Sequence, residues 1–386
     1  MTQSPFWTDL RPGDDEYAVH LVERMLLAAV EQGASDIHLH PRIDHWELLF
    51  RLDGVLHVIG QLPKSELTDP VARLMVLANI PTYKAGQPME GRLSHSPLSQ
   101  SAHGIEMRLG TFPTVHGVRA VIRLFAATDQ LTTIEQLGLA PDVTEALIEL
   151  SESREGAILL TGPAGSGKTT TLYACLRHIA AMNPRRSVLT IEDPIESVID
   201  SISQSQLQPA IGMTLASSLR SAVRQDPEVL LVSEIRDSET AEAVLMSALT
   251  GHLVFSSLHA GDVALALRRL VQMQLPSYLL RSGLRAVCCQ RLLRRWCETC
   301  QGKGCEACQG TGYRGRVAIA ELIRLDRDEW GEKMMSQLAA GQSANAIYRE
   351  AEEAGLVTLR SRARQLVEAR ITDNREVLRV LGSFPG

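Results

Sequence analysis

The chain has 386 residues, 45% of them hydrophobic and 22% charged, and a net charge of −6. That length is too great for one core and suits two or three domains of ordinary globular composition. The negative balance and the 4% aromatic content give a nucleic-acid binder little to work with, and no apolar run approaches the ~20 residues that span a bilayer.

In chain order, MTQSPFWTDLRPGDDEY comes first. It is acidic and lacks an apolar segment, so it does not read as a signal peptide, and a cytoplasmic location is expected. Residues 16–32 carry apolar side chains at helical spacing. SDIHLHPRIDHWELLFRLDGVLHVIG then alternates, and Asp53-Gly54 favours a tight hairpin between WELLFRL and VLHVI. A further strand pair is expected in IEMRLGTFPT and HGVRAVIRLF. Residues 1–125 thus read as a small α+β domain, and AATDQLTTIEQLG (126–138) as a linker. From Gly156 the runs AILLTG, SVLTIED, PEVLLVSE and HLVFSSLH alternate with helical stretches. That pattern predicts a largely parallel sheet covered by helices, with an α/β domain over 139–290. A cysteine-rich segment (291–320) and a helical close (321–386) follow.

Gly162-Pro163-Ala164-Gly165-Ser166-Gly167-Lys168-Thr169 matches G-x4-G-K-[ST] between an apolar run and a helical one. Glycines let backbone N–H groups turn inward around phosphates, and the helix start adds partial positive charge. Lys168 is expected on the β/γ-phosphates of ATP, Thr169 on Mg2+, and Thr170 in the same binding segment. Glu234 ends VLLVS, where a carboxylate meets magnesium or polarises a water. Glu192, Asp193 and Glu196 crowd the end of another run in TIEDPIE, where packed acids need a cation or a shared proton. His259 ends a third run, within reach of a γ-phosphate or simply structural. Arg220 and Arg224 lie one helical turn apart, and Arg108 and Arg123 flank the second strand pair. Arginines so placed either bridge to phosphate or remain surface charges.

Seven cysteines are present: Cys175, Cys288, Cys289, Cys297, Cys300, Cys305 and Cys308. An odd count in a cytosolic setting argues against a disulfide framework. CETCQGKGCEACQGTG writes C-x-x-C-x-G-x-G twice. It fits the zinc module of J-domain chaperones or a shortened zinc knuckle on another machine. The last four cysteines supply enough thiolates for one tetrahedral Zn2+, and no HPD tripeptide supports the chaperone.

SDIHLHP, FRLDG, EMRLGTFPT-x2-G-x-RAVIRLF, LLTGPAGSGKTTTLY, LTIEDPIE, LRSAVRQDPEVLLVSEIRDSETAEAVLMSALTGHLVFSSLHA, QRLLRR and CQGTGYRGRVAIAEL together resemble the hexameric ATPases of bacterial type II secretion and type IV pilus assembly. The likeness runs over about residues 16–382. It implies a RecA-like P-loop core, a PAS-like N-terminal domain, a zinc knuckle and a C-terminal helical subdomain. By position it makes TIEDPIE the Asp box, Glu234 the Walker B carboxylate and His259 the γ-phosphate histidine. Arg220 and Arg224 match the motor domain's arginines, and Arg108 and Arg123 match those sent from the N-terminal domain. It also implies a homo-hexamer, an inner-membrane platform protein as partner, and an adaptor at the membrane. The zinc motif favours assembly over retraction. Departures are Ala164, Ser197, Ser233, Ala260 and Gly261, and the family's long additional N-terminal domain is not seen. A weakly hydrolysing scaffold and a nucleic-acid translocase are the competing readings.

Overall fold

The computed structural model describes residues 6–12, 14, 16–64, 69–84, 86–93, 105–125, 131–326, 329–353 and 355–382. The chain divides into two compact units, Met1–Gln130 and Leu131–Gly386.

The first unit holds α1 (Tyr17–Glu31), β1 (Asp36–Pro41), β2 (His45–Leu52), β3 (Val55–Pro63), α2 (Pro70–Leu77), β4 (Met89–Arg92), β5 (Glu106–Thr114) and β6 (Gly117–Phe125). Its strands form one antiparallel sheet in the order β3-β2-β1-β6-β5-β4. Asp53 and Gly54 join β2 to β3 with φ of 47° and 82°. Two successive positive φ values make the turn whose twist matches antiparallel strands, as Asp-Gly predicts. Alternation puts Ile37, Leu39, Leu48, Phe50 and Ile122 into one core with Leu21, Met25 and Leu74 of the helices.

The second unit follows as α3 (Pro141–Glu152), β7 (Gly156–Thr161), α4 (Lys168–Ala180), β8 (Val188–Glu192), β9 (Ser203–Gln206), α5 (Leu215–Ala222), β10 (Val229–Val232), α6 (Ser238–Leu249), β11 (Leu253–Leu258), α7 (Val263–Gln272), α8 (Ser277–Gly283), β12 (Leu284–Trp296), β13 (Tyr313–Arg324), α9 (Glu329–Ala339), α10 (Ala344–Glu353), α11 (Leu359–Glu368) and α12 (Asn374–Leu381). Its seven strands run in the order β13-β12-β7-β11-β10-β8-β9, all parallel except β13. Successive residues of the inner strands enter opposite cores. Ala157 and Leu159 pack with α5 to α8, while Ile158 and Leu160 pack with α3 and α4. This three-layer burial is why the inner strands read as unbroken apolar runs.

Residues 126–130 of the expected linker lie outside the described residues. In its second part Ile134 and Leu137 are buried in the α3–α4 layer, so that stretch folds with the second unit. β12 and β13 form a long hairpin whose tip carries the four paired cysteines. Its base near the tip is tied to α12. Asp373 accepts from Trp296 Nε1 (3.0 Å) and the Tyr313 hydroxyl (2.6 Å), and the fully buried Glu376 pairs with Arg294 at 2.9 Å.

Candidate nucleotide site and metal centre

Parallel packing brings the ends of β7, β8, β10 and β11 to one edge of the sheet, the edge at which open α/β sheets bind ligands. The loop after β7 is the G-x4-G-K-T segment. Gly162, Gly165 and Gly167 take φ of 146°, 72° and 90°, values that L side chains rarely adopt. No side chain caps the start of α4, so its first N–H groups face the loop. Lys168 Nζ donates to the carbonyls of Gly162 and Pro163, both at 3.0 Å. Burial pushes Lys168 below the usual lysine range, and the charge of Glu234 works in the opposite direction. The Ser166 hydroxyl is buried and finds no partner among the described residues. An uncapped helix start, a glycine cradle, a lysine and an orphaned hydroxyl together fit a phosphate group.

The acidic residues divide by environment. Glu196 accepts from the Thr169 hydroxyl at 3.3 Å, so the expected magnesium ligand and one acid meet. Glu192 is 2% exposed and its oxygens are engaged: Oε1 accepts from Thr190 (2.6 Å) and Gln204 (3.0 Å), and Oε2 from the Tyr173 hydroxyl. Tyr173 also accepts from the Glu196 N–H at 3.2 Å, tying α4 to the acidic block. Burial and the Glu192 bond push the Tyr173 hydroxyl well above the usual tyrosine range. Glu234, just past β10, touches Arg236 through Oε1 and lies 3.4 Å from His259 Nε2 through Oε2. Arg236 also reaches Asp193 at 3.7 Å.

Two of the four arginines belong to each unit. α5 ends at Ala222, so Arg220 closes the helix and Arg224 stands in the turn beyond it, not on the next helical turn. Arg220 pairs with Glu239 at 3.0 Å, and its side chain is exposed. Arg108 and Arg123 are cross-strand partners on β5 and β6 of the first unit. Arg108 pairs with Glu106 at 3.1 Å and Arg123 with Asp36 at 3.2 Å.

Sequence reading missed Gln290, which lies on β12 and is 2% exposed. Its Nε2 donates to the Ser166 carbonyl (3.0 Å) and its Oε1 accepts from Thr171 (2.8 Å). A Cβ on Gly162 would come within 2.6 Å of the Gln290 carbonyl, and one on Gly167 within 2.6 Å of Gln290 Nε2. Arg291 beside it donates to the carbonyls of Gln290 (3.0 Å) and Gly261. The available signal was a polar pair inside LRAVCCQRLL, an otherwise apolar strand that demands partners for them.

At the hairpin tip the Sγ atoms of Cys297, Cys300, Cys305 and Cys308 all lie within 4.8 Å of one another. Three of the separations are 3.8, 3.7 and 3.7 Å. Thiolates about 2.3 Å from one zinc, tetrahedrally arranged, stand about 3.8 Å apart. The Gly304 N–H points at Cys300 Sγ (3.2 Å), and those of Cys305 and Gly312 point at Cys308 Sγ (3.2 and 3.3 Å). Burial works against ionising Cys308, but the two N–H groups prevail and hold its thiol down to about 6. The tandem repeat becomes a near two-fold arrangement. A Cβ on Gly304 would meet the Gly310 carbonyl at 2.7 Å, and one on Gly312 the Gly302 carbonyl at 2.5 Å. The cluster suits a thiolate-bound metal such as zinc.

Residues 12–379 match the family model for the type II/IV secretion system protein. The chain belongs to that family. It is 37% identical over 398 residues to the type IV pilus assembly ATPase TfpB of Acinetobacter baylyi, covering 95% of this chain and 66% of that protein. Against the pilus assembly ATPase PilB of Thermus thermophilus the identity is 36%, over 95% of this chain and 43% of PilB. The type II secretion system protein HxcR of Pseudomonas aeruginosa is 36% identical, over 98% of this chain and 81% of HxcR. The chain thus spans less than two thirds of the length of the two pilus relatives. Among solved structures, the pilus retraction motor PilT with bound ADP aligns at TM-score 0.57 and 25% identity, over 92% of this chain and 98% of PilT. The ATPase DotB of Legionella pneumophila aligns at 0.70 and 24% identity, over 94% of this chain and 96% of DotB, and supports the fold alone.

Proposed function

We propose that this family member is an ATP-hydrolysing motor that drives assembly of a type IV pilus or a type II secretion pseudopilus. The observation that carries the proposal is the meeting of the phosphate loop, the Thr169–Glu196 contact and the Glu234–His259 pair at one sheet edge. Lys168 would place its charge on the β/γ-phosphates, and the loop and α4 N–H groups would hold the phosphate oxygens. Thr169, with Glu196 beside it, would hold Mg2+, which supplies charge neutralisation when bound. Glu234 would orient the attacking water and accept its proton, with His259 at the γ-phosphate side. Glu192 acts in this reading as a buried brace for that block rather than as a group touching nucleotide.

The further roles belong to the same proposal. Arg108, Arg123, Arg220 and Arg224 would serve nucleotide sites in a homo-hexamer. An inner-membrane platform protein would be turned by the motor, with an adaptor at the membrane, and Zn2+ would fill the cysteine cluster. No described helix is long and apolar enough to cross a membrane, which is compatible with a cytoplasmic motor acting through partners.

A second reading, an ATP-binding scaffold with little turnover, is favoured by the engagement of both Glu234 oxygens by Arg236 and His259. Magnesium-dependent hydrolysis beside a Glu234→Gln variant separates the two. Turnover that the variant loses while still binding ATP supports the motor. Equal near-background rates with intact ATP binding would overturn it in favour of the scaffold.

A further inference from the structure

Glu321 on β13 is a fully buried carboxylate outside the nucleotide-binding motifs. Its Oε1 accepts from the Val263 N–H at 2.8 Å, the first residue of α7. Its Oε2 accepts from the Leu359 N–H at 2.9 Å, the first residue of α11, and from the Tyr348 hydroxyl of α10. One side chain therefore holds the starts of two helices and the face of a third. Helix starts carry partial positive charge, so a carboxylate can stand there without a cation. Burial nonetheless pushes its carboxyl up to about 7.

Val263 is four residues beyond His259. The intervening loop is held at two further points: Arg291 of β12 donates to the Gly261 carbonyl, and Arg269 of α7 donates to the His259 carbonyl at 2.8 Å. Asp262 caps α7 by accepting from Leu265 at 2.7 Å. The His259 ring then stands 3.4 Å from Glu234. A continuous set of bonds runs from α10 and α11 through Glu321 to the start of α7, and from there along the loop to the Glu234–His259 pair.

We propose that Glu321 is a positioning residue that transmits the seating of helices α10 and α11 to the loop bearing His259. If those helices shift, Glu321 loses donors on one oxygen and its hold on Val263 weakens. The loop 259–262 then loses its fixed end. The phosphate loop, braced by Gln290 side-chain bonds in which Glu321 takes no part, is left alone. The consequence for turnover rests on the hydrolytic reading above, whereas the coupling does not.

Amide hydrogen exchange of the full chain tests this, comparing wild type with Tyr348→Phe. The segment 259–265 should exchange roughly tenfold faster in the variant, the range expected for losing one hydrogen bond to a charged group. Segment 162–169 should not change. With ATP, kcat should fall while KM stays, because the phosphate-binding loop is untouched. Ala351→Gly, which loosens the buried face of α10 and leaves the Tyr348 hydroxyl in place, should raise exchange at 259–265 in the same sense. Loosening confined to α10 and α11 in both variants, with 259–265 as in wild type, would overturn the proposal. The exchange arm needs no turnover, so it decides the coupling even if the wild-type protein proves hydrolytically silent, a result that undoes the functional reading alone.

Discussion

Two phosphate-loop glycines are held without side chains by a single residue that lies more than 120 positions later in the chain. The Gln290 carbonyl crowds Gly162 and its amide nitrogen crowds Gly167, while the same amide bridges the Ser166 carbonyl and the Thr171 hydroxyl. The chemistry demands an amide. One end must donate to a carbonyl and the other accept from a hydroxyl, at a side chain only 2% exposed. A carboxylate at this position would keep the shape but set an oxygen, with no proton to donate, against the Ser166 carbonyl. Gln290→Glu is therefore expected to weaken ATP binding roughly tenfold or more, from the roughly 1–3 kcal/mol that an unsatisfied buried group costs, measured by titration with a fluorescent nucleotide. Unchanged affinity would show that the loop keeps its curvature without this brace.

The β12–β13 hairpin is the element that joins the parts. Its inner residues brace the candidate nucleotide site, its tip presents the cysteines, and α12 grips it between the two through Asp373 and Glu376. The grip separates the tip from the site, so metal loss should stay local. Purified protein is expected to carry about one equivalent of zinc, and a strong chelator should release it. Trp296 reports the event, because its ring lies against Gly302. Its fluorescence should change on chelation, a change absent from Trp296→Phe, while ATP affinity persists. Less than about half an equivalent of metal in fresh protein would sink the zinc assignment. This hairpin also marks where sequence reading ran short. The Asp53-Gly54 turn and the inner strands were legible because periodicity and turn chemistry are local signals. LRAVCCQRLLRRW and YRGRVAIAELIR interleave charges with apolar residues, and some of those charges are satisfied by partners far from them in the chain, such as Arg294 with Glu376 and Glu321 with the starts of α7 and α11. Nothing nearby in sequence announces such a pair.

At the scale of the whole molecule, the second unit alone supplies the phosphate loop, the acids and His259, and these were legible because each sits at the end of an apolar run. The role proposed for the first unit rests chiefly on resemblance, since its arginines stand in ordinary strands and pair with acids of the same unit. Their surroundings now allow a test that spares the fold. Arg123 is one of two arginines on Asp36, and the other, Arg51, lies 3.3 Å from the same carboxylate. Ser35 adds a hydrogen bond at 2.8 Å. Removing Arg123 therefore leaves Asp36 paired, and the Arg123 side chain is itself two-thirds exposed, at 66%, so little packing is lost. Arg123→Ala should change the melting temperature by no more than a few degrees, about what a loss below roughly 1 kcal/mol gives. If the arginine serves a nucleotide site of the assembled motor, as proposed, hydrolysis should fall about a hundredfold or more, because a charge on the transition-state phosphate is worth at least that. ATP binding should fall far less. Light scattering should show the same oligomer as wild type, which separates lost chemistry from lost assembly. Full turnover by the variant would remove Arg123 from the proposed nucleotide-site charges and leave Arg108 as the first unit's remaining candidate.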